Sequence, residues 1–408
     1  MLTAAAFRSI VKSGSFRIID SRGRSHLVGD ESRPTSTLRF ADRWLDFTLA
    51  LNPALYVGEA YMEGRLIVEE GTLYDFLELA ARNMARVESN PWYGLLSRIA
   101  KRIGQYNPIG QARRNVAHHY DLSDQLYDLF LDKDRQYSCA YFLDPRDSIE
   151  TAQENKKRHI ASKLLLTRPR LKLLDIGSGW GGLGLYLARE TGADVTGVTL
   201  SVEQHKVSEA RAAEAGLGDR VRFHLRDYRE EPDKYDRIVS VGMFEHVGPT
   251  HYREFFGKLK ELLAEDGVAL LHSIGRMEPP GGMNPWIRKY IFPGGYTPAL
   301  SEVFTAIQDS GLWVTDLEIL RLHYAETLRA WRERFESNRD KIRALYDERF
   351  CRMWEFYLVG CELSFRYMNQ MVFQMQIARQ PAAVPLTRDY MVEWERAAGK
   401  PLTRRAAS

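Results

Sequence analysis

The chain has 408 residues, of which 44% are hydrophobic, 27% charged and 11% aromatic, and its formal net charge is +3. This composition is typical of a folded protein, so it excludes wholesale disorder, a collagen-like repeat and a disulfide scaffold. At roughly 100–200 residues per domain, the length predicts two or three domains. A total charge so close to zero gives no indication of a nucleic-acid partner.

The cysteines and the apolar runs indicate where the protein works. Cys139, Cys351 and Cys361 are too few and too far apart to predict a zinc site or a disulfide framework, and free thiols fit a reducing compartment. No apolar run approaches the roughly 18–20 residues that span a bilayer. The N-terminal apolar patch is soon interrupted by Arg8 and has no convincing cleavage site. We therefore predict a cytoplasmic protein that holds no metal and is free to touch a membrane from one side.

Residues 1–90 mix short apolar runs with turn residues, which predicts a small α/β domain. The segment FRIID favours a strand, and GDESRP favours a loop. In residues 71–87, apolar side chains recur at helical spacing, which predicts an amphipathic helix. These side chains are Leu73, Phe76, Leu77, Leu79 and Ala80.

Residues 91–114 differ from the rest of the chain in charge. They hold five basic residues and no acidic one, and apolar residues such as Trp92 and Ile99 recur between the charges at helical spacing. A basic amphipathic helix can lie on an anionic membrane. A linker helix with a solvated basic face, packed on its own domain, explains the same pattern. The basic residues are Arg98, Lys101, Arg102, Arg113 and Arg114.

From about residue 150 the pattern alternates between strands and helices, which predicts a mostly parallel sheet covered on both faces. Two later segments, WVTDLEIL and NQMVFQMQIAR, favour two further strands, with mostly helical residues at 324–367 between them. The tail KPLTRRAAS is expected to fray. The five earlier strands are predicted in LKLLDIG, ADVTGVTL, RVRFHL, YDRIVSVG and VALLHSIG.

A glycine-rich loop, DIGSGWGGLG, follows the first of these strands and opens a helix. Glycines at such a turn let a ligand approach the backbone, although any tight strand-to-helix turn can carry them. A nicotinamide-binding unit places an acid at the end of the second strand, and none occurs here before Glu203. Asp175 instead precedes the glycines, and LRDY follows the third strand. This pattern resembles the first motifs of class I S-adenosylmethionine-dependent methyltransferases.

Longer segments resemble the cyclopropane-fatty-acyl-phospholipid synthases and the related mycolic acid cyclopropane synthases. The likeness covers roughly residues 110–380, and GEAYMEG at 58–64 is similar to the N-terminal domain of the bacterial phospholipid enzymes. The segments include NVAHHYDLSDQLYDLFLDKDRQYSCAYF, VTLSVEQ, YDRIVSVGMFEHVG, LLHSIG, PWIRKYIFPGG and HYAETLRAWRERF.

The resemblance implies a class I methyltransferase fold: a Rossmann-like, seven-stranded, mostly parallel sheet with a helical insertion and a small α/β N-terminal domain. On this basis we predict an N-terminal docking or lipid-binding domain at 1–90, a basic linker at 91–114, a catalytic domain at 115–385 and a C-terminal extension at 386–408. The implied partner is unsaturated phospholipid in an anionic membrane surface. The enzyme would associate peripherally with the inner face of that membrane, and relatives suggest a homodimer.

The implied reaction joins a methylene group across a cis double bond of an acyl chain. Methyl transfer from the sulfonium of S-adenosylmethionine leaves a carbocation on the chain, and a base then removes a proton from the new methyl so that the ring closes. Such a site must be apolar, must stabilise a cation, as aromatic faces can, and must hold a base near the methyl. In the resembled family the base is a bound bicarbonate ion.

The resemblance assigns residues to both ligands. For bicarbonate it implies backbone groups of Cys139 and Ile274 and side chains of Glu245, His272 and Tyr324. Glu245 would draw a proton away from the anion, and His272 would donate to it. For S-adenosylmethionine the resemblance implies Tyr137, Ser138, Asp175, Gly177, Gly179, Thr199, Ser201, Gln204, Asp227 and Tyr228, with Asp227 expected at the adenine amino group.

Each of these residues also has a structural explanation. A lone strand histidine such as His272 is often a hydrogen-bonded core residue, and an acid at the position of Glu245 often caps a helix. Tyr324 fits ordinary packing. Cys139 fits a small buried hydrophobe, and it lacks the arranged base of a nucleophile. In PWIRKYIFPGGY, the aromatics fit either helix packing or an acyl tunnel, and Arg288 and Lys289 fit either a phosphate head group or a solvated face.

Three other functions compete with cyclopropane synthesis. The nearest is the same first step ending in a methyl-branched or methylene-bearing acyl chain. Methylation of a heteroatom is less consistent with the sequence, because MFEHVG replaces the Asn-Pro-Pro-aromatic loop of the amino-methylating nucleic-acid enzymes. A catalytically dead lipid-binding protein would have lost the predicted bicarbonate residues, and all five are present.

Overall fold

The computed structural model describes residues 1–30, 32–87 and 122–397. The predicted basic segment 91–114 lies outside these residues. Within them, no helix has a stretch long and apolar enough to cross a membrane. The described residues form two sheets, one of four strands near the N-terminus and one of seven strands.

The N-terminal sheet has the order β2-β1-β3-β4, with β1 and β3 parallel and the outer pairs antiparallel. Its helices cover an apolar core that includes Phe16, Leu38 and Phe76. The predicted strand FRIID and the helix of residues 71–87 are both present. The elements are α1 (Leu2–Ile10), β1 (Ser15–Ile19), β2 (Ser25–Gly29), β3 (Thr37–Phe40), α2 (Trp44–Leu51), α3 (Pro53–Met62), β4 (Leu66–Glu70) and α4 (Leu73–Val87).

The larger sheet has the order β10-β11-β9-β8-β5-β6-β7, and β11 is the strand that runs antiparallel to its neighbours. The predicted seven-stranded, mostly parallel sheet is confirmed. Its elements are α5 (Asp124–Phe130), α6 (Ile149–Lys163), β5 (Lys172–Ile176), α7 (Gly182–Thr191), β6 (Asp194–Thr199), α8 (Val202–Glu214), β7 (Val221–Leu225), β8 (Tyr235–Val241), α9 (Tyr252–Leu262), β9 (Leu263–Arg276), α10 (Pro285–Tyr290), α11 (Leu300–Ser310), β10 (Trp313–Ile319), α12 (His323–Ser337), α13 (Arg339–Leu345), α14 (Glu348–Tyr367), β11 (Gln370–Ala378) and α15 (Asp389–Ala397).

One predicted boundary is wrong. The segment HYREFFGKLKELLAEDG predicts a helix over 251–267, but β9 already begins at Leu263, which pairs with Tyr235 of β8. Leu263 is fully buried against the sheet while the next acidic side chains are exposed. Pairing along a buried neighbour therefore outweighs the helical preference of the exposed residues.

Helices α12, α13 and α14 form the predicted insertion between β10 and β11. Their buried faces meet α5 in an aromatic cluster that contains Phe130, Trp331, Trp354 and Tyr357. T-shaped ring contacts of this kind add to the free energy of apolar burial. The insertion therefore covers the carboxyl side of the sheet with these aromatic side chains, which together form an aromatic roof.

The N-terminal unit, which comprises α1–α4 and β1–β4, packs on this insertion and on α10. Trp286 of α10 is fully buried, and its Nε1 donates to Sδ of Met62 at 3.2 Å. Lys289 Nζ donates to Glu59 Oε1 at 2.6 Å. Of the two explanations offered for the aromatics of PWIRKYIFPGGY, packing therefore accounts for Trp286. Lys289 is paired with a carboxylate of the N-terminal unit.

Candidate active site

A cavity lies at the carboxyl ends of β5, β6 and β8 and above the N-terminus of α7. Its position is set by topology: the chain runs from β5 outward through β6 and β7 and then returns to the other side of β5 at β8. Ligands of open α/β sheets bind at such a reversal of strand order. Nine of the ten predicted cofactor residues line the cavity: Tyr137, Ser138, Asp175, Gly177, Gly179, Thr199, Gln204, Asp227 and Tyr228.

The glycine loop is shaped by backbone conformations that side chains disfavour. Gly179 has φ +56°, and a Cβ there would meet no protein atom within 4 Å. Gly181, at the N-cap of α7, has φ +82°, and a Cβ there would lie 2.6 Å from the ring of Phe223. Gly181 thus permits close packing on β7, whereas Gly179 leaves space on the cavity side for a ligand.

Asp175 lies at the end of β5 and is only 2% exposed. Burial raises the pKa of its carboxyl to about 7, opposed by the nearby charge of Lys156. Its Oδ2 is buried and has no hydrogen-bond partner among the described residues. An orphaned carboxylate oxygen is costly in a finished core, so this atom fits a polar group of a bound ligand.

The residues after β6 form a local network. Thr199 Oγ1 donates to Gln204 Oε1 at 3.1 Å, and both residues line the cavity. Ser201 does not line it. Its Oγ accepts from the backbone N of Gln204 at 3.3 Å and caps α8. The structure therefore shows Ser201 as a helix cap, a position that Ser prefers, and its predicted contact with the cofactor stays a prediction.

Asp227 and Tyr228 follow β7. The carboxylate of Asp227 is nearly fully buried and accepts from Arg229 Nε at 2.9 Å and from Arg229 Nη2 at 2.7 Å. The sequence predicts that this carboxylate binds an adenine amino group. In the structure, Arg229 of the same chain already donates to both of its oxygens. Tyr228 packs edge-on against Phe255 at 5.5 Å between ring centroids, and burial raises the pKa of its phenol.

Tyr137 and Ser138 come from the loop between α5 and α6. The hydroxyls of Tyr137 and Tyr357 lie 2.9 Å apart, and the ring of Tyr137 lies 5.2 Å from that of Trp331. Ser138 Oγ accepts from Lys156 Nζ at 2.8 Å. Tyr137 thus joins the cavity wall to the aromatic roof, and Ser138 joins it to a buried lysine.

Lys156 and Gln136 are site residues that sequence reasoning missed. Lys156 is fully buried in α6, and its Nζ also donates to Oε1 of Gln136, a lining residue, at 2.6 Å. The available signal was a lysine on the apolar face of a helix, one turn from Ala152 and one turn from Ile160. A lysine at such a position most often extends its ammonium group into solvent. Only the packing of α6 shows that the ammonium group of Lys156 is buried.

None of the five predicted bicarbonate residues lines the cavity, but all lie next to its wall or its aromatic roof. Cys139 follows Ser138, and the backbone N of Gly242, a lining residue, donates to the carbonyl of His272 at 3.0 Å. Glu245 lies in a short 3-10 helix between lining residues. Tyr324 of α12 lies 5.9 Å from the ring of Trp331, which contacts Tyr137.

Glu245 and Ile274 are in direct contact. The backbone N of Ile274 donates to Glu245 Oε1 at 2.6 Å, whereas the prediction had this backbone face a bound anion. Glu245 Oε2 is buried and has no hydrogen-bond partner within the part of the chain that the structure describes. Burial raises the pKa of the Glu245 carboxyl to about 7, although the Ile274 amide lowers it. The carboxyl is therefore poised to hold a proton near neutral pH.

His272 is neutral. Gln374 Nε2 lies 3.1 Å from His272 Nδ1, and in the tautomer that accepts the amide hydrogen at Nδ1 the ring proton sits on Nε2, where the histidine can donate. Burial and the charge of Lys156 lower the pKa of His272 well below 6.5. Cys139 is also neutral, because burial raises the pKa of its thiol. It is a buried thiol and not a thiolate nucleophile.

Comparison with known proteins identifies the relatives of this chain. Residues 109–375 match the family model of mycolic acid cyclopropane synthetase. The chain is 41% identical over 261 residues to the cyclopropane-fatty-acyl-phospholipid synthase of Escherichia coli K12, which covers 64% of this chain and 66% of that protein, just under two thirds of its length. It is 40% identical over 376 residues to the tuberculostearic acid methyltransferase UfaA1 of Mycobacterium tuberculosis, which covers 89% of this chain and 88% of that protein.

Among solved structures, the mycolic acid cyclopropane synthase CmaA1 complexed with S-adenosylhomocysteine and CTAB aligns with a TM-score of 0.62 and 33% identity. The alignment covers 67% of this chain and 99% of that one. The family resemblance drawn from the motifs is therefore confirmed, as is the class I methyltransferase fold. The structural match leaves a third of this chain without an equivalent.

Proposed function

The chain belongs to the mycolic acid cyclopropane synthetase family, and from this premise we propose that it transfers a methylene group from S-adenosylmethionine to the cis double bond of unsaturated phospholipid acyl chains. One observation carries the proposal. A neutral histidine and a carboxyl with an orphaned oxygen lie directly behind a cavity suited to the methyl donor. They belong to His272 and Glu245.

Different residues that line the cavity would bind different parts of the methyl donor. Asp175 would receive its ammonium group, because Oδ2 is buried and lacks a partner. The loop at Gly177 and Gly179 would face the methionine group, and Thr199 with Gln204 would bind the ribose hydroxyls. Tyr228 would lie beside the adenine. Asp227 would reach the adenine only by sharing its carboxylate with Arg229.

The candidate catalytic residues would hold and move a proton. The proton on His272 Nε2 would be donated to an anion, and Glu245, with a carboxyl pKa of about 7, would accept a proton drawn from it. Tyr324 would donate its phenol proton, and Cys139 would contribute its backbone. A bicarbonate ion held by these groups would supply the base. The orphaned Glu245 Oε2 fits such a ligand, whereas the Ile274 amide would have to be shared between Glu245 and the ion.

Aromatic faces would stabilise positive charge on the acyl chain. Tyr137, Trp331 and Tyr324 form a continuous series of ring contacts of 5.2 Å and 5.9 Å from the cavity wall into the helical insertion. A cation over such rings is attracted to their negative faces without being covalently trapped. The series also excludes water, which would otherwise capture the cation.

A second product class is favoured by one comparison. The match to the tuberculostearic acid methyltransferase UfaA1 spans 89% of the chain, and the match to the Escherichia coli cyclopropane synthase spans 64%. The same methyl transfer would then end in a methyl-branched or methylene-bearing chain. The cyclopropane and the methylene-bearing products differ in which proton the carbocation loses, whereas a saturated methyl-branched chain also requires a two-electron reductant.

The proposed substrate requires contact with a membrane surface. We propose that the protein binds the cytoplasmic face of the membrane peripherally, that the basic residues at 91–114 provide part of this contact, and that the active form is a dimer. Sedimentation of the protein with vesicles of anionic and of neutral lipid tests the first two statements, and its mass in solution tests the third. Equal binding to both vesicle types would argue against an electrostatic contact.

The decisive experiment is incubation with S-adenosylmethionine and vesicles that carry cis-unsaturated chains. Gas chromatography of the released fatty acids, against authentic cyclopropane, methyl-branched and methylene standards, identifies the product. Gain of one methylene per chain with ring retention times supports the proposal. Unchanged fatty acids would overturn it, and branched standards would select the second product class.

The role of bicarbonate has its own test. Under rigorous exclusion of carbonate the turnover rate should fall, and added bicarbonate should restore it. An unchanged rate would refute the role. Glu245→Ala should lower turnover far more than the affinity for S-adenosylmethionine, because Glu245 lies behind the cavity rather than in its lining.

A further inference from the structure

Lys156 is a buried ammonium group without a salt bridge among the described residues. It is fully buried in α6, and both of its hydrogen-bond acceptors are neutral: Gln136 Oε1 at 2.6 Å and Ser138 Oγ at 2.8 Å. The neighbouring Lys157 differs, since its Nζ lies 2.7 Å from a carboxylate oxygen of Asp134. A buried charge is expensive unless it is paired, so an unpaired one at a cavity wall marks a functional group.

The hydrogen bond to Ser138 fixes the direction of a proton. An ammonium group has no acceptor, so Ser138 Oγ must accept from Lys156. The hydroxyl proton of Ser138 is therefore turned away from Lys156 and is available to another acceptor. Because Ser138 lines the cavity, the residue presents a donor there.

The same lysine orients a second lining residue. Gln136 accepts from Lys156 through Oε1, while its Nε2 donates to Asp134 Oδ2 at 3.0 Å. Both ends of this amide are engaged, so it cannot turn over. Lys156 thus holds the 136–138 wall in one arrangement and places a positive charge directly behind it.

We infer that Lys156 is a positioning residue that makes this end of the cavity a subsite for the carboxylate of the methyl donor's methionine group, by holding Ser138 as a hydrogen-bond donor beneath a buried positive charge. The inference rests on the proposed use of S-adenosylmethionine but not on the lipid product. The opposite charge on the methionine group has a partner on the same cavity, the orphaned Oδ2 of Asp175. The methionine group would then be bound at both of its charges. The Ser138 hydroxyl, with Lys156 behind it, would donate to the carboxylate, and Asp175 would accept from the ammonium group.

A pair of ligands separates this role from a merely structural one. S-adenosylhomocysteine carries the amino-acid group, and 5′-methylthioadenosine has the same adenosine and thioether without it. Loss of one charge-assisted hydrogen bond corresponds to about 10- to 100-fold in affinity. Lys156→Met should therefore weaken S-adenosylhomocysteine by about that factor and leave methylthioadenosine nearly unchanged in calorimetric titrations.

Four further variants complete the test. Ser138→Ala should produce the same ligand-selective loss, and the double variant should lose no more than Lys156→Met alone, because both act on one contact. Lys156→Arg should restore part of the affinity, since it keeps the charge. Lys157→Met removes the neighbouring lysine of the same helix and is the matched control, which should change the affinity ratio of the two ligands by less than about threefold.

Each outcome decides the inference. Equal weakening of both ligands by Lys156→Met would show that the lysine only supports the fold of the wall. If Lys156→Met does not fold, Ser138→Ala carries the test, and an unchanged affinity for S-adenosylhomocysteine in that variant would overturn the inference. No lipid is used, so a failure of lipid methylation leaves this result standing. Failure of the unmodified protein to bind either ligand would instead overturn the use of S-adenosylmethionine itself.

Discussion

Glu245→Gln should make the protein more stable at alkaline pH while abolishing turnover. In the folded protein burial raises the pKa of this carboxyl from its ordinary 4.5 to about 7. An acid with a raised pKa binds more protons in the folded than in the unfolded state between these two values, so it lowers stability as the pH rises from 4.5 through 7. Glutamine keeps the acceptor for the Ile274 amide and removes the titration.

The magnitude follows from the two pKa values. Each tenfold change in a protonation equilibrium is worth about 1.4 kcal/mol, so the full effect is about 3 kcal/mol, of which about 2.5 kcal/mol falls between pH 5 and pH 8. The amide nitrogen of the variant replaces Oε2, an atom without a partner. Its cost does not depend on pH, so the change in the stability difference across this range isolates the carboxyl.

Urea denaturation at pH 5, 6, 7 and 8, followed by tryptophan fluorescence, measures the difference in the free energy of unfolding between Glu245→Gln and the unmodified protein. We expect this difference to shift in favour of the variant by about 2.5 kcal/mol from pH 5 to pH 8. The exposed Glu261 of α9 provides the matched control, and Glu261→Gln should differ from the unmodified protein by less than about 0.5 kcal/mol. A difference for Glu245→Gln that stays constant across the range would refute the reasoning.

Three further perturbations have defined outcomes. Gly179→Ala should lower the affinity for S-adenosylhomocysteine more than it lowers stability, whereas Gly181→Ala should destabilise the fold by about 2 kcal/mol or more, because its Cβ would lie 2.6 Å from a buried ring. Trp286→Ala should lower the free energy of unfolding by about 3–5 kcal/mol, since the ring, carried by α10, is fully buried between Met62 of the N-terminal unit and Phe356 of α14. Burial lowers the pKa of His159, but hydrogen bonds that the ring donates to two carboxylates, one of them Glu395, raise it above 6.5 overall. The stability that this contributes is present below pH 6.5 and is lost as the pH rises through the folded pKa, so Glu395→Gln should reduce the fall in thermal midpoint between pH 6 and pH 9.

Calorimetry, urea denaturation and thermal unfolding measure these effects. Equal losses of ligand affinity in the two glycine variants would contradict the division between Gly179 and Gly181. If Trp286→Ala cost no more than substitution of the exposed Trp313, the ring would not hold the N-terminal unit. A midpoint difference unchanged by Glu395→Gln would show that the histidine does not titrate against α15.

The strands and the glycine loop could be predicted because their signals are local. Continuous apolar runs ended by glycine mark buried parallel strands, and each predicted strand of the larger sheet is present. The one wrong boundary, at Leu263, lies where exposed acidic residues favour a helix and pairing with β8 prevails. Local pattern thus predicts elements wherever the side chains that form the pattern are the ones that are buried.

The candidate site could be predicted only in part. Motifs identified Asp175, Gly179 and Thr199, and these line the cavity. Motifs did not indicate that Ser201 caps a helix or that Arg229 holds Asp227, because both depend on which hydrogen-bond partner lies closest in space. A motif specifies residue types, and the partners of those residues are decided by packing.

The sequence by itself determined the order of strands and helices, the glycine loop and the family of the chain, because each is written in contiguous residues. Only the tertiary structure decided the protonation states and the hydrogen-bond partners of the site residues. Whether Glu245 holds a proton, whether His272 is neutral, and what Lys156 holds in place depend on burial and on partners from distant segments. Burial changes the free energy of a charge by several kcal/mol, and it is a property of the packed molecule that no single segment carries.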